Sequence, residues 1–484
     1  MFSRVRSGKI VRTMLKHALT YHHDSALLFE RIAHKPWAMF LDSGQALNAA
    51  TGKPGSQYGR YDIMVAEPIA TLVTQGKNTT ISQNGHTEIS QEDPFLLLKN
   101  LLEKFKAPKT ELPFAGGAVG YFSYDLGRRL EQLDDTNPPE ATPDMAPEMM
   151  VAIYDWAIVV DHRLQKSTLV SHGFSEATKQ NWPALQALFN APLRPMDNSF
   201  VVTSEVVSNT TFDAYSKAFY KIKNYISAGD CYQVNLAQRF SAQVLGDSWT
   251  AYKKLREISP APFMAYMNLP LDKTDTFQVL SNSPERFIQT ADDHVETRPI
   301  KGTRPRASDV AQDLANANAL LASEKDRAEN LMIVDLLRND IGKNCETGSV
   351  KAEKLFQLQS FANVHHLVSI VTGKLRQGVT AIDLLKGCFP GGSITGAPKV
   401  RAMQIIDEIE PHRRGVYCGA IGYIGFDGDM DTNIAIRTAI VSKKQLNFYA
   451  GGGIVADSDV SKEYAETLDK ASSMMTIMKH FMRL

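Results

Sequence analysis

The chain has 484 residues, 43% of them hydrophobic and 22% charged, a balance suited to a soluble globular fold with a large core and, at about 150 residues per domain, to about three domains. Its 53 Lys and Arg cancel its 53 Asp and Glu, so no overall field draws it to nucleic acid or an anionic membrane, and a small molecule or a protein is the expected partner. Cys231, Cys345, Cys388 and Cys418 stand far apart in neither a CxxC nor a zinc spacing, which fits a reducing cytoplasm, and no run approaches the roughly 18 apolar residues of a membrane span.

Residues 1–23 carry Arg4, Arg6, Lys9, Arg12 and Lys16 and no acid, and are expected to form a basic, disordered extension. Over 24–190 the chain reads as β-rich, with short strands at 37–41, 63–65, 71–73 and 115–124 and helical periodicity confined to pieces such as 94–105. Polar, proline-bearing breaks at 130–149 and 191–199 put the main boundary near 200. Beyond it, in a C-terminal region 200–484, apolar positions at Phe212, Tyr215, Phe219, Ile222 and Ile226 predict a helix over 209–228, and a strand follows over 231–240. Strands and helices then mix without regular βαβ alternation, so the class is α+β.

The residues that carry chemistry lie in this second region. Lys301 sits between Pro299 and Gly302, and becomes a nucleophile only where burial or a neighbouring cation such as Arg298 favours the neutral amine; an exposed turn lysine is the plainer reading. Glu285, sixteen residues earlier, is either its partner acid or half of a salt bridge with Arg286. Asp326 and Glu329 are three apart, as are Glu463 and Glu466, so each pair presents two carboxylates on one helix face. Two such helices face to face make an oxygen site suited to Mg²⁺; each pair alone also looks like a solvated helix face. The apolar run 331–337 implies that the first helix is largely buried, and buried carboxylates want a partner. Glycine-rich turns at 389–399, 417–423 and 450–454 let backbone amides approach anions, although the first lacks the Ser or Thr of a Walker A loop. Arg437, in a strand-like run 433–440, can clamp a carboxylate with two hydrogen bonds. His366 either orients a substrate, exchanges protons or is a satisfied core histidine.

Taken together these segments resemble the chorismate-utilising enzymes from about residue 25 to the end. The resemblance rests on Gly-Asp-Cys-Tyr-Gln-Val-Asn-Leu-Ala-Gln-Arg (229–239), Ser-Pro-Glu-Arg-Phe (283–287), Arg-Pro-Ile-Lys-Gly-Thr (298–303), Glu-Asn-Leu-Met-Ile-Val-Asp-Leu-Leu-Arg-Asn-Asp (329–340), Gly-Gly-Ser-Ile-Thr-Gly-Ala-Pro-Lys (391–399) and Gly-Gly-Gly-Ile-Val-Ala-Asp-Ser (451–458). It implies two intertwined subdomains whose antiparallel sheets stack into a β-sandwich with helices outside, the boundary near 200 then marking a crossover within one fold. Relatives that make anthranilate have Pro-Ile-Ala-Gly-Thr where this chain has Lys301, and relatives that add water carry a lysine base where it has Gln233. The implied reaction is therefore amination of chorismate at C4 by ammonia, giving 4-amino-4-deoxychorismate, the precursor of para-aminobenzoate and folate.

In that reading Lys301 attacks C2 while Glu285 protonates the departing C4 hydroxyl, and ammonia then expels the lysine. Glu329 and Glu466 ligate Mg²⁺, with Asp326 and Glu463 acting through its waters. Tyr417, Arg437, Lys470 and the amides of Gly451, Gly452 and Gly453 hold the carboxylates, and Ser393 and His366 match further positions. No cysteine lies in a Gly-x-Cys-x-Gly elbow, so a separate glutaminase chain is the implied ammonia source, making a heterodimer. Relatives also hold tryptophan in the N-terminal half, where Ser43, Arg60, Tyr61, Pro262 and Phe263 match, while Asp42 replaces the glutamate of anthranilate synthases. The alternatives are an anthranilate synthase component I, which Lys301 disfavours, and a catalytically silent tryptophan-binding subunit.

Overall fold

A computed structural model of the chain describes residues 14–44, 59–133, 146–192, 198–271, 275–360 and 364–483. Two antiparallel sheets, of 13 and 12 strands, organise them. In the first sheet, strands Leu15–Leu19, Lys166–Ser171, Trp156–Asp161, Tyr61–Val65 and Ala38–Asp42 are followed side by side by Phe263–Pro270, Thr276–Ser283, Thr438–Ser442, Gln445–Ile454 and Gln233–Gly246. The second runs from Ile300–Pro305 through Val364–Lys374, His294–Thr297, Arg286–Ala291, Met430–Ile434 and Ala420–Gly425, and continues into Gly117–Phe122, Met149–Tyr154 and Ala70–Gln75. Each sheet is thus assembled from both sides of the proposed boundary near 200. The joints are Ala38–Asp42 against Phe263–Pro270 and Gly117–Phe122 against Ala420–Gly425.

Between the sheets lies one apolar layer: Met39, Ile63, Val159 and Val279 from the first meet Val119, Tyr121, Met150 and Ile421 from the second. Helices cover both outer faces, Trp249 and Met474 packing on the first sheet and Phe95, Val334 and Leu385 on the second. Strands covered on both sides read as near-continuous apolar runs, and Met149–Tyr154 and Trp156–Asp161 are buried throughout, with Asp161 at the end of the second the one charge among them.

The expected helix appears as Phe212–Ser227, its first turn closed by Thr211 Oγ1 accepting from the Ala214 amide, with Tyr215, Phe219 and Ile222 inward. The expected strand runs longer, over Gln233–Gly246. Two expectations are corrected. Leu15–Leu19, inside the stretch read as a disordered extension, forms an end strand paired with Lys166–Ser171, its Lys16 bonded to Glu111; residues 1–13 lie outside the described residues. The helix Glu324–Gly342 buries only one face, through Asn330, Ile333, Val334, Leu337 and Ile341, while Leu331 stays 45% exposed, because the seven residues 331–337, Asp335 among them, go nearly twice round a helix and cannot all face the core. Among the described residues no helix is long and apolar enough to cross a membrane.

Candidate active site

The chain passes from the first sheet to the second at Pro284–Glu285, and back again between Met430–Ile434 and Thr438–Ser442. These two crossovers lie side by side. The Ser283 hydroxyl donates to the Ile434 carbonyl (2.6 Å), the Ile434 amide donates to the Glu285 carbonyl (3.0 Å), and the Asn282 amide donates to the Arg437 carbonyl (2.9 Å). Arg437 adopts φ +49° at the return crossover, and leaving ladder geometry there is what frees its side chain from the sheet.

Glu285 is 7% exposed. Burial pushes its pKa up to about 7, against the opposing pull of the Ser393 hydrogen bond and the cations of Lys301, Lys470 and Arg437. It is not paired with Arg286, which is bound instead by Asp431 and Glu296. The Ser393 hydroxyl donates to Glu285 Oε1 at 2.9 Å. Its turn is pinned from three sides: Lys399 Nζ donates to Asp340 Oδ2 (2.7 Å) and to the Cys388 carbonyl (2.9 Å), Arg414 donates to the Ile394 carbonyl (2.9 Å), and Asn235 donates to the Ser393 carbonyl (3.0 Å). Neighbouring Gly392 packs closely against the helix, since a Cβ would come within 2.4 Å of Leu336 Cδ2 and the leucine would have to move.

Lys301 lies on the end strand Ile300–Pro305, at a register shift against Val364–Lys374 made by Gly302 with φ +76°. Its Nζ is 3.7 Å from Glu329 Oε2. Arg298, read from sequence as the cation beside it, is instead engaged by Glu296 at 2.7 Å, because the strand alternation carries it to that neighbour. His366 faces Thr303 Oγ1 through Nδ1 (2.9 Å) and is 3% exposed; burial, helped by Arg437, pushes its pKa down to about 3. It is thus a neutral anchor of the lysine strand and no proton donor near neutrality.

The carboxylate pairs stand where the spacing put them, on the N-terminal turns of Glu324–Gly342 and Val460–Phe481. Lys325 approaches Glu329 (3.8 Å), Lys470 bridges Glu466 (2.7 Å) and the Gly451 carbonyl (3.0 Å), Arg304 holds Asp326 (3.1 Å), and Ser458 donates to Glu463 (2.7 Å). Burial raises Glu463; for Glu466 the burial effect is outweighed by Lys470, Lys301 and Lys325, so the two acidic faces share one electrostatic neighbourhood. Among the described residues no three His, Cys, Asp or Glu side chains gather closely enough to hold a metal ion, the acids being matched by these cations. The donor chemistry nevertheless fits Mg²⁺, with oxygen anions and no nitrogen or sulfur.

The glycine strand seals the other wall. A Cβ at Gly452 would lie 3.2 Å from Glu463 Oε2 and 3.7 Å from Glu466 Oε1, and one at Gly453 would lie 2.9 Å from Gln233 Cδ. Gln233 is fully buried with neither amide atom bonded, an arrangement that costs free energy unless a ligand supplies the partner. Tyr417 stacks on Tyr449, centroids 5.2 Å apart and 9° from parallel.

The residues matched to tryptophan binding lie at the other joint. The Ser43 hydroxyl and amide both donate to Asp62 (2.7 Å each), Arg60 binds Asp161 and stacks 4.5 Å over Tyr61, and Phe263 lies beneath Arg286 while Pro262 is buried. Asp42 is paired with Arg256 (2.5 Å) and accepts from Tyr252 (3.1 Å). Segment 45–58, between Ser43 and Arg60, lies outside the described residues. Sequence reading missed Asn235, Arg304, Asp340, Lys399 and Arg414; the available signal was a charge at helical spacing from buried apolar positions, as at Asp340 three residues after Leu337 and seven after Ile333.

Residues 49–476 match the model of the family described as chorismate binding enzyme. Aminodeoxychorismate synthase component 1 of Salmonella typhimurium is 47% identical over 451 residues, covering 92% of this chain and 94% of that protein. The Escherichia coli protein of the same name is 46% identical over 462 residues, covering 94% of this chain and 97% of its own. Among solved structures, anthranilate synthase component I from Streptococcus pneumoniae matches with a TM-score of 0.75 at 34% identity, covering 87% of this chain and 93% of that one.

Proposed function

Because the chain belongs to the chorismate binding enzyme family, we propose that it aminates chorismate at C4 to give 4-amino-4-deoxychorismate, precursor of para-aminobenzoate. The observation that carries this reading is a buried Glu285, protonated up to about pH 7, within electrostatic reach of Lys301. Lys301, once its ammonium has given up a proton to bulk water, adds through the neutral amine to C2, the ring electrons shift, and the C4 hydroxyl leaves as water on taking the Glu285 proton. The new C2 ammonium then returns a proton to the Glu285 carboxylate. Ammonia adds at C4, the electrons shift back, and the C2–nitrogen bond breaks as Glu285 reprotonates the departing lysine. Ser393 holds the Glu285 carboxyl in place across both displacements.

Arg437 and Lys470 supply positive charge for the two substrate carboxylates, with Tyr417 and the amides of Gly451 to Gly453 alongside. Gln233 offers amide groups but no base able to activate water, which favours ammonia as the nucleophile. Glu329 and Glu466 would hold Mg²⁺, with Glu463 beside them, and the ion when bound would neutralise the ring carboxylate.

The relatives' designation as component 1 implies a second component. We infer that it is a glutaminase delivering ammonia, since the four cysteines here are buried, free and outside any nucleophile elbow. Tryptophan belongs to the same reading, bound beside Ser43, Arg60 and Tyr61 with Pro262 and Phe263 as its apolar wall, and a cytoplasmic setting suits the free thiols. The test is product analysis of the purified chain with chorismate, Mg²⁺ and ammonium, coupled to a lyase that releases para-aminobenzoate. Para-aminobenzoate is the expected product; anthranilate alone overturns the reading, and no product from a chain that binds tryptophan favours a silent subunit.

A further inference from the structure

Two ion pairs join the lysine strand to the helix Glu324–Gly342, and they share a spacing. Lys301 and Arg304 are three residues apart on the strand; Glu329 and Asp326, which receive them at 3.7 Å and 3.1 Å, are three residues apart on the helix. Gly302 lies between the two bridges. A Cβ there would come within 3.0 Å of Asp326 Cγ and 2.7 Å of Leu320 Cδ1, so the strand backbone is seated directly on the side chains of Asp326 and Leu320. The Asp326 backbone is itself fixed, its amide donating to the capping Ser323 hydroxyl at 3.2 Å.

The strand needs such a hold. It is the end strand of its sheet, bonded along one edge only, and its ladder is broken by the bulge between Lys301 and Thr303. On its sheet side His366 grips Thr303, and on its helix side the Arg304–Asp326 pair is the bond nearest the bulge that Lys301 does not itself make.

We propose that Asp326 is a positioning residue for Lys301, acting through Arg304, and does not serve the metal. The pair fixes where the strand presents the lysine amine, and with it the preference for C4 over C2: a retracted lysine leaves C2 open to ammonia, which adds there with loss of the C4 hydroxyl as water. Glu329, one turn further on, then serves the metal alone among the acids of this helix. This rests on Lys301 being the nucleophile.

The test uses the full chain with Arg304→Gln, Asp326→Asn, both together, and Arg304→Lys. Because a misplacement of about 1 Å can cost roughly 100-fold in rate, each single loss is expected to lower kcat for C4 amination by at least about tenfold, with KM for chorismate changed less than about threefold. The share of C2-aminated product rises, Mg²⁺ affinity measured by titration calorimetry stays within about threefold, the double variant is no worse than either single one, and Arg304→Lys keeps most of the rate. An Arg304→Gln chain with unchanged kcat and product ratio overturns the inference, as does an Asp326→Asn chain whose Mg²⁺ binding falls tenfold or more. The unmodified chain separates this from the functional reading. If it makes no C4-aminated product, both fall; if it does while Arg304→Gln is indifferent, only the positioning role falls.

Discussion

Ser393 and Glu285 are 108 residues apart in the chain and joined by a 2.9 Å hydrogen bond, hydroxyl to carboxyl, where the two sheets exchange strands. The bond favours the ionised carboxyl and so opposes the burial that raises it. A general acid works only while protonated. Corrected for the supply of free ammonia, kcat/KM is therefore expected to fall as pH rises through about 7, and Ser393→Ala should move that limb to higher pH. A limb that stays in place in the variant would show that another group sets it.

The same carboxyl links stability to pH. Its folded pKa is raised from 4.5 to about 7, so the native state holds the proton more tightly, and the stability gained is complete below 4.5 and lost as pH climbs through about 7. At about 1.4 kcal/mol per pKa unit the loss is on the order of 3 kcal/mol. Glu285→Gln keeps the Ser393 bond without the charge, so denaturant unfolding should find it more stable than the unmodified chain at pH 8 and similar at pH 4.5, while its turnover drops by roughly 10²–10⁴. Equal stabilities at both pH values would refute the buried-acid account.

Lys301→Ala should lower C4 amination by at least about 100-fold, equivalent to about 2.7 kcal/mol of barrier, and release some anthranilate. Mass spectrometry of quenched reactions supplies the second readout, a chorismate-derived adduct on the peptide carrying Lys301 that the variant lacks. Turnover and product unchanged in the variant would sink the nucleophile assignment.

Arg256 is buried between Asp42 and Asp24, 2.5 and 2.7 Å from them. Removing it leaves Asp42 buried and uncompensated, so Arg256→Met should cost about 3–5 kcal/mol, whereas Arg256→Met combined with Asp42→Asn should recover a good part of it. Thermal or denaturant unfolding of the single and double variants measures both, and equal losses would argue against the pair.

Glu285, Lys301 and the two carboxylate pairs could be picked out because each sits in a short run whose turn residues or helical spacing announce a local geometry, whereas Ser393 came only from the family resemblance. Their partners were not. Arg298 turned to Glu296 and Arg304 to Asp326 through strand pairing and helix docking, neither of which a local window records. The fold was harder for a related reason. A strand covered on both faces, such as Met149–Tyr154, loses the alternation that marks a strand, and the break near 200 is a polar, proline-bearing stretch of sequence in a chain whose sheets ignore it. The end strand Leu15–Leu19 was hidden by basic neighbours.

The interleaved strand order also sets a timetable for folding. Gly117 pairs with Gly425, so the strand Gly117–Phe122 gains its outer neighbour only after some 300 further residues have been made. At roughly 5–20 residues per second on the ribosome that wait is about 15–60 s, during which an apolar edge has no permanent partner. Such an edge invites pairing with other chains. The nascent protein should therefore depend on chaperone shielding late into synthesis, and a fragment ending near residue 200 should aggregate, because it carries five of the 13 strands of one sheet and five of the 12 of the other, with the inner edge of each left open.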